Sequence, residues 1–167
     1  MPPTLLVIWH SMTGGTRQMV QAACEAARAE GGDAVRVRAL QAREAGPDDV
    51  LACRAVVFAT PENLATMSGQ LKDFFDRSYY PLLDRVGGLP YAVMVCAGSD
   101  GHGAIAQIQR IATGLRLRAV AEPVRVCTHA QTPEAILAEK TLDAEQLRPC
   151  RELGAGLAAA LAMGLHG

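Results

Sequence analysis

The alternation of apolar segments with helix-like segments constrains the fold of this chain more than any other feature. Apolar runs over Leu5–Trp9, Ala55–Ala59 and Tyr91–Ala97 predict three buried strands, and a stretch with helical periodicity follows each of them. The run Ala55–Ala59 is apolar throughout, which is typical of a strand that is covered on both faces. This rhythm predicts an α/β protein whose parallel sheet carries helices on both faces, joined by right-handed connections.

Weaker patterns supply the remaining elements. Val35 and Val37 alternate with arginines, as in an edge strand, and a fifth strand over residues 119–126 is interrupted by Pro123. The segment Thr128–Thr141 is polar, and we interpret it as a flap. Helices are predicted over the ranges Thr16–Ala29, Gln70–Leu83, Ala104–Leu115 and Asp143–Met163.

Composition narrows the classes of partner. The 167 residues are half apolar and 20% charged with a formal net charge of −1, and we expect one domain over residues 1–167. A nucleic-acid binder needs a basic surface, so this balance argues against nucleic acid as a partner. It argues equally against a strongly acidic electron carrier. Because only seven residues are aromatic, a flat ligand would be held largely by backbone and small side chains.

The first residues, the last residues and the cysteines bear on location. No basic segment precedes Trp9, and the uncharged stretch Leu153–Leu165 is too short for a membrane span, so we expect no signal peptide and no membrane insertion. The five cysteines are scattered without a C-x-x-C pair, which argues against a disulfide framework and against a metal site. Together these features predict a cytoplasmic protein.

Ligands of parallel α/β sheets bind at the carboxyl ends of the strands, so the loops after the first, third and fourth strands are the candidate sites. The loop His10–Thr16 carries three hydroxyl side chains and two glycines before a predicted helix. Its backbone N–H groups can converge on an anion, and the helix N-terminus adds partial positive charge. The loop has no Lys, so it suits one phosphate monoester and not a nucleoside triphosphate. The alternative is a turn in which Thr13 or Thr16 caps the helix.

The other two loops have the length and the glycines of ligand-binding loops. Thr60–Gly69 is long for a strand–helix connection, and Asn63 with the backbone could read the edge of a heterocycle. Alternatively, Ser68 caps the next helix and the rest is surface loop. Ala97–Gly103 holds three glycines, which indicates either close approach of its backbone to a ligand or a plain glycine-rich turn.

Taken together, the three loops resemble those of the flavodoxin-like FMN proteins. The run Ser11–Thr16 fits the phosphate-loop pattern Ser/Thr-x-Thr-Gly-x-Thr, and the run from Thr60 to Arg77 is similar to a segment of the WrbA-type NAD(P)H:quinone reductases. Ala97–Gly103 resembles their third flavin loop. The resemblance covers Leu5 to about Val126. It implies a flavodoxin-like three-layer αβα sandwich with a five-stranded parallel sheet in the order 2-1-3-4-5.

The resemblance implies an FMN site in which the flavin carries the chemistry, with NADPH or NADH as the reductant and no metal. The residues that would hold the phosphate are Ser11, Met12, Thr13, Gly14, Gly15 and Thr16. Those that would border the isoalloxazine ring are Pro61, Glu62, Asn63, Leu64 and Ala65. Those that would border the pyrimidine edge and the ribityl chain are Gly98, Ser99, Asp100, Gly101 and His102. Glu62 and Asp100 are expected to act through backbone atoms.

Three functions fit these features. The first is an FMN oxidoreductase that passes a hydride from NAD(P)H to FMN and on to a quinone-like or other small acceptor. The second is a non-enzymatic electron carrier, against which the near-neutral charge counts, because carriers use a charged field to steer partners. The third is a cofactor-free binding or regulatory protein. The resemblance also implies a homodimer or a higher homo-oligomer.

The aromatic side chains also help to distinguish an oxidoreductase from an electron carrier. Electron-carrier flavodoxins sandwich the ring between aromatics, whereas the loops of this chain contain none. Tyr79, Tyr80 or a second subunit are the alternatives for covering one face of the ring. An open face favours hydride exchange with diffusing substrates. His10 and His102 are proton-donor candidates, although a His beside a glycine loop is more often a hydrogen-bond partner.

Overall fold

Three buried strands form the middle of the sheet, as the apolar runs predict. In the computed structural model, which describes residues 1–165, β3 pairs in parallel with β1 on one side and with β5 on the other. The edge strand β2 pairs in parallel with β1. The strand bounds are β1 Thr4–Trp9, β2 Arg36–Gln41, β3 Ala55–Asn63, β4 Thr66–Met67, β5 Pro90–Ala97, β6 Arg118–Ala119 and β7 Val124–Cys127.

Helices cover the two faces of this sheet. Neighbouring residues of a strand point to opposite faces, so Leu5 and Val7 pack under α1 and α6, whereas Leu6 and Ile8 belong to a second core under α3 and α4. The helix bounds are α1 Gly15–Gly31, α2 Pro47–Leu51, α3 Gly69–Leu82, α4 His102–Gly114, α5 Pro133–Leu137 and α6 Ala144–Ala162. This arrangement confirms the predicted α/β class and its parallel sheet.

The predicted strand count of five and the order 2-1-3-4-5 are wrong. The sheet has seven strands in the order β2-β1-β3-β5-β6, with β4 paired to β3 and β7 paired to β5. The fifth strand is divided into β6 and β7, which both pair in parallel with β5, because Pro123 lies between them and cannot donate a ladder hydrogen bond. β4 arises because β3 continues past Ala59 and folds back as an antiparallel hairpin within Thr60–Gly69.

Two short helices, α2 and α5, fall where no helix is predicted. Each has five residues, which is too short for a helical period to show in the sequence. Ser68 caps α3, as one alternative predicts, because its Oγ accepts a hydrogen bond of 3.3 Å from the Leu71 N–H. The rest of that alternative, a plain surface loop, is wrong, because the segment forms the β3–β4 hairpin. None of the helices within residues 1–165 is both long enough and apolar enough to cross a membrane.

Most of the aromatic side chains are used in the core under α3. The Phe58 ring lies 4.9 Å from the Phe75 ring, 6.4 Å from Phe74 and 6.3 Å from Tyr91, measured between centroids. Phe58, Phe74 and Phe75 are 3% exposed or less. Four of the seven aromatic residues therefore stabilise the sheet–helix interface and are not available to a ligand.

Close approach of α1 and α6 depends on Gly154. A Cβ atom at this position would collide with the backbone carbonyl of Ala23, so the two helices touch there through their backbones. Gly156 lies two residues further along α6, is exposed, and would meet nothing within 4 Å in the described part of the chain. The two glycines therefore form a matched pair.

We expect Gly154→Ala to lower the free energy of unfolding by about 1–3 kcal/mol, because the added methyl forces the helices apart. Gly156→Ala should raise it by about 0.5–1 kcal/mol, because the exposed helix position gains propensity without a collision. Denaturant unfolding followed by circular dichroism measures both. Equal effects of the two substitutions would contradict the backbone contact.

Candidate functional site

The strand register places the three predicted loops at one edge of the sheet. Trp9 lies opposite Ala59, and Pro61 lies opposite Cys96, so β1, β3 and β5 run out of the sheet side by side. The His10 N–H continues the pattern by donating to the Ala59 carbonyl over 3.1 Å. The loops enclose a cleft of about 600 Å³, a volume within the range of about 300–1,000 Å³ that is typical of cofactor sites.

Twelve of the sixteen predicted site residues line this cleft. They are Ser11, Met12, Thr13, Gly15, Thr16, Pro61, Glu62, Asn63, Leu64, Ala65, Gly98 and Ser99. The other four, Gly14, Asp100, Gly101 and His102, lie outside the cleft lining. Gly14 and Gly101 have positive φ at the starts of α1 and α4, and the His102 Nδ1 lies 2.6 Å from the Asp100 Oδ1 on the exposed surface. Contact of the sixteen with a ligand stays a prediction.

The first loop presents unsatisfied donors to the cleft. Gly14 is the N-cap of α1, and its N–H donates to the Ser11 Oγ over 3.1 Å, so Thr13 and Thr16 do not cap the helix. Thr16 is 1% exposed, yet its Oγ1 has no hydrogen-bond partner among residues 1–165. The first N–H groups of a helix also lack intrahelical acceptors. A phosphate would accept from both, so the loop fits the phosphate of FMN.

Gly15 packs directly on the end of β5. A Cβ atom there would lie 2.5 Å from the Cys96 Sγ, so a side chain at this position would push the first loop away from the sheet. Burial raises the pKa of the Cys96 thiol to about 11. At neutral pH the thiol is therefore protonated, and Cys96 forms part of the cleft wall without being a nucleophile.

The hairpin of β3 and β4 turns over two residues in a strained conformation. Leu64 has φ 52° and Ala65 has φ 66°, and two consecutive positive φ values define the type I′ turn that normally takes Asn-Gly. Each non-glycine residue in this region costs about 1–2 kcal/mol. Such strain is typical of functional sites. Here it holds the Leu64 side chain, which is 98% exposed, at the rim of the cleft.

The Glu62 carboxylate joins the second loop to the third. It accepts hydrogen bonds from the Gly101 N–H over 2.9 Å and from the Ala104 N–H over 3.1 Å. These groups lie at the N-terminus of α4, where partial positive charge favours a carboxylate. The backbones also meet, because a Cβ on Gly103 would collide with the Ala65 carbonyl. Glu62 is thus a cap for α4 supplied from a distant part of the chain.

The segment that the sequence indicates as a flap, Thr128–Thr141, contributes a further part of the cleft wall. Residues 128–143, which we call the strap, follow β7 and contain α5. β7 is also a parallel strand that ends at this edge. Because ligands of parallel sheets bind at the carboxyl ends of the strands, the loop after β7 could have been predicted to belong to the site. Beyond the twelve predicted residues, the cleft lining includes Cys96, Ala97, Thr128, Ala130, Gln131, Ile136, Leu137 and Lys140.

None of the aromatic candidates lines the cleft in the part of the chain that the structure describes. Tyr79 packs against the core under α3, and Tyr80 is 79% exposed on the same helix. Trp9 and His10 line a smaller cavity of about 240 Å³ beside the first loop, with Arg17 among its other residues. Burial lowers the pKa of His10, so its imidazole is neutral at neutral pH.

Comparison with protein families identifies the chain. A family described as NADPH-dependent FMN reductase matches residues 4–129, a range that contains β1 to β7 and all three predicted loops. The chain belongs to this family. Membership of the NADPH-dependent FMN reductase family confirms the prediction of a flavodoxin-like FMN flavoprotein of the oxidoreductase class.

Relatives of this FMN reductase family member carry two kinds of name. An NAD(P)H dehydrogenase (quinone) from Acidithiobacillus ferrooxidans is 33% identical to this chain over 92 residues. The matched region is 44% of this chain and 46% of that protein, so the chain spans about half of that relative's length. A flavodoxin from Aquifex aeolicus is 28% identical over 98% of the chain and 89% of its own length. Among solved structures, a flavodoxin from the domain Archaea superposes with a TM-score of 0.75 at 16% identity, covering 95% of this chain and 98% of that one.

The Glu62 cap can be tested apart from any ligand. We expect Glu62→Gln to lower the free energy of unfolding by about 1–2 kcal/mol, because a charge-assisted cap becomes a neutral one with a single acceptor. Amide exchange at Gly101 and Ala104 should speed up, as measured by hydrogen–deuterium exchange. Glu122→Gln, at an exposed carboxylate, is the control and should change neither quantity. Unchanged exchange in the Glu62 variant would contradict the cap.

Proposed function

We propose that this protein is an FMN-dependent oxidoreductase that takes reducing equivalents from NADPH or NADH and passes them to a small quinone-like acceptor. The observation that carries the proposal is Thr16 at the N-terminus of α1: its buried hydroxyl has no hydrogen-bond partner among residues 1–165, and the residue lines an apolar cleft. When bound, FMN supplies the hydride chemistry, and the protein supplies position and electrostatics. FMN reductase family membership supports the same assignment.

The chain's own residues divide the work of holding such a cofactor. The hydroxyls and N–H groups of Ser11–Thr16 would bind its phosphate. The hairpin tip at Leu64 and Ala65 and the third loop at Gly98 would position its ring through backbone atoms. Gly98 leaves no room for a side chain, because a Cβ there would lie 2.8 Å from the Ala130 carbonyl oxygen. The strap thus packs closely on the third loop and contributes Thr128, Ala130 and Gln131 to the cleft wall.

The mouth of the cleft favours an apolar acceptor. Four exposed apolar side chains surround it: Met12, Leu64, Ile136 and Leu137, which are 48%, 98%, 43% and 68% exposed. Exposed apolar side chains that line one cleft are typical of a binding site for an apolar ligand. The name of the Acidithiobacillus ferrooxidans relative, an NAD(P)H dehydrogenase (quinone), supports a quinone-like acceptor.

A non-enzymatic electron carrier is the second candidate, because the Aquifex aeolicus flavodoxin aligns over 98% of this chain. The net charge of −1 and the apolar mouth count against it. Anaerobic mixing of FMN-loaded protein with NADPH, and separately with NADH, distinguishes the two. We expect at least one of them to bleach the visible flavin absorption; if neither does, the carrier function replaces the enzyme.

We propose a single domain that forms a homodimer or a higher homo-oligomer in the cytoplasm. In such an oligomer, the exposed apolar side chains at the mouth of the cleft would form part of the interface between subunits. Light scattering of the FMN-loaded protein measures the assembly directly.

Thr16→Val should separate stability from cofactor binding. The isosteric change removes a buried hydroxyl that has no partner in the described part of the chain, so the free energy of unfolding should stay the same or rise by about 1 kcal/mol. FMN affinity should fall by about tenfold or more, because a hydrogen bond to a charged group is lost. Titration by flavin fluorescence measures the affinity. The control is Thr113→Val on the exposed face of α4, and equal FMN affinity in both variants would place the phosphate elsewhere.

Leu64→Asn should report on the acceptor. Asn tolerates positive φ, so the turn is retained while apolar surface at the mouth is lost. We expect kcat/KM for a benzoquinone acceptor to fall by about fivefold, equivalent to ~1 kcal/mol of apolar contact. Activity with ferricyanide, a charged acceptor, should be unchanged. Tyr80→Asn, exposed on α3, is the control; equal losses with both acceptors would argue against apolar recognition.

A further inference from the structure

The strap is tied to the protein on both sides of the cleft. On one side, the N–H groups of Thr128 and His129 donate over 2.9 and 2.7 Å to carbonyls at the start of the third loop. On the other side, the Lys140 N–H donates to the Thr13 carbonyl over 2.8 Å. The strap therefore crosses from the third loop to the first and delivers Lys140 to the phosphate loop.

Gln18 fixes the Lys140 end of the strap. Its Nε2 donates to the Lys140 carbonyl over 2.7 Å and to the Gly14 carbonyl over 2.9 Å, and its Oε1 accepts from the Leu142 N–H over 2.9 Å. Leu142 is buried in the core under α1. Since one side-chain amide holds both segments, the position of Lys140 relative to the phosphate loop is defined.

The Lys140 ammonium lies beside the N-terminus of α1, which is an unfavourable place for a cation. Its Nζ is 3.3 Å from the Thr13 Oγ1 and donates to the carbonyls of Ile136 and Ala138 over 2.9 and 2.5 Å. None of the ion pairs found within residues 1–165 includes Lys140. The helix end also carries partial positive charge. An anion between the two would make both interactions favourable.

We propose that Lys140 is the phosphate-binding cation of this site and that it selects FMN over riboflavin. The inference rests on the proposed function. A phosphate monoester carries about −1.5 to −2 charges at neutral pH, and the loop Ser11–Thr16 contains no basic residue of its own. The strap supplies that charge from a distant part of the chain. The Lys140 ammonium lies 3.3 Å from the Thr13 Oγ1, and Lys140 lines the same cleft as Thr16, whose hydroxyl has no partner among residues 1–165.

A purely structural role for Lys140 predicts a different result. If the ammonium only stabilises the strap through the Ile136 and Ala138 carbonyls, its loss weakens every ligand of the cleft equally. If it binds phosphate, its loss weakens FMN and spares riboflavin, which lacks the phosphate but shares the ring. The comparison of the two flavins therefore separates the roles.

The test measures the affinity for FMN and for riboflavin by fluorescence titration at low and high NaCl. Lys140→Met should weaken FMN by about tenfold to a hundredfold, the loss of a charge-assisted hydrogen bond, and leave riboflavin unchanged. It should also reduce the salt dependence of FMN binding. Lys140→Arg should restore most of the FMN affinity. Lys72→Met, at an exposed lysine of α3, is the matched control.

Equal weakening of both flavins, or no weakening of either, would overturn the role of Lys140 and leave the proposed function intact. Wild-type protein that binds no FMN would overturn the proposed function and this inference with it. A second measurement covers a variant that fails to fold. The chain has two lysines, so FMN should protect Lys140 but not Lys72 from acetylation, and riboflavin should protect neither. Equal acetylation of Lys140 with and without FMN would contradict the inference.

Discussion

The parallel register of β3 between β1 and β5 determines where the rest of this molecule lies. Since side chains alternate across a strand, the register sends Val57 and Ala59 to the core under α1 and α6 and Val56 and Phe58 to the other core. A slip of one residue would send each set of side chains to the opposite face of the sheet and therefore into the wrong core. The same register brings the ends of three strands together, so the three loops surround one cleft, and the Glu62 hydrogen bonds then join the second loop to the third.

Polar and apolar groups both line that cleft. The first loop contributes hydroxyls and helix N–H groups, and the strap adds the Lys140 ammonium. Exposed apolar side chains such as Leu64 and Leu137 lie at the mouth. A ligand that combines a charged group with a flat apolar part matches this combination. Phe58 and its aromatic neighbours lie in the core, so the mouth is lined by aliphatic side chains. The flat ring of a ligand would contact these side chains and would not stack on an aromatic ring.

Local patterns predicted the α/β class, the central strands and the three loops, because burial on two faces and glycine-rich strand ends leave signatures within a few residues. Features that depend on contacts between distant residues left no such signature. The hairpin at Leu64 and Ala65 lacks the Asn-Gly sequence that is typical of its turn type. Its two residues adopt positive φ against their intrinsic preference, so the sequence did not indicate the turn. Glu62 caps a helix about forty residues away, and Lys140 approaches Thr13 across most of the chain, so sequence spacing gave no indication of either.

The backbone contact between Ala23 and Gly154 has a consequence for how the protein is made. α1 begins at the phosphate loop, and its apolar face is covered largely by α6, which follows every other element of the chain. During synthesis, α1 lacks its partner until α6 has left the ribosome. The strap also precedes α6 and is held by Gln18 of α1. Since α1 also holds the strap, packing between α1 and α6 follows synthesis of nearly all of the described chain.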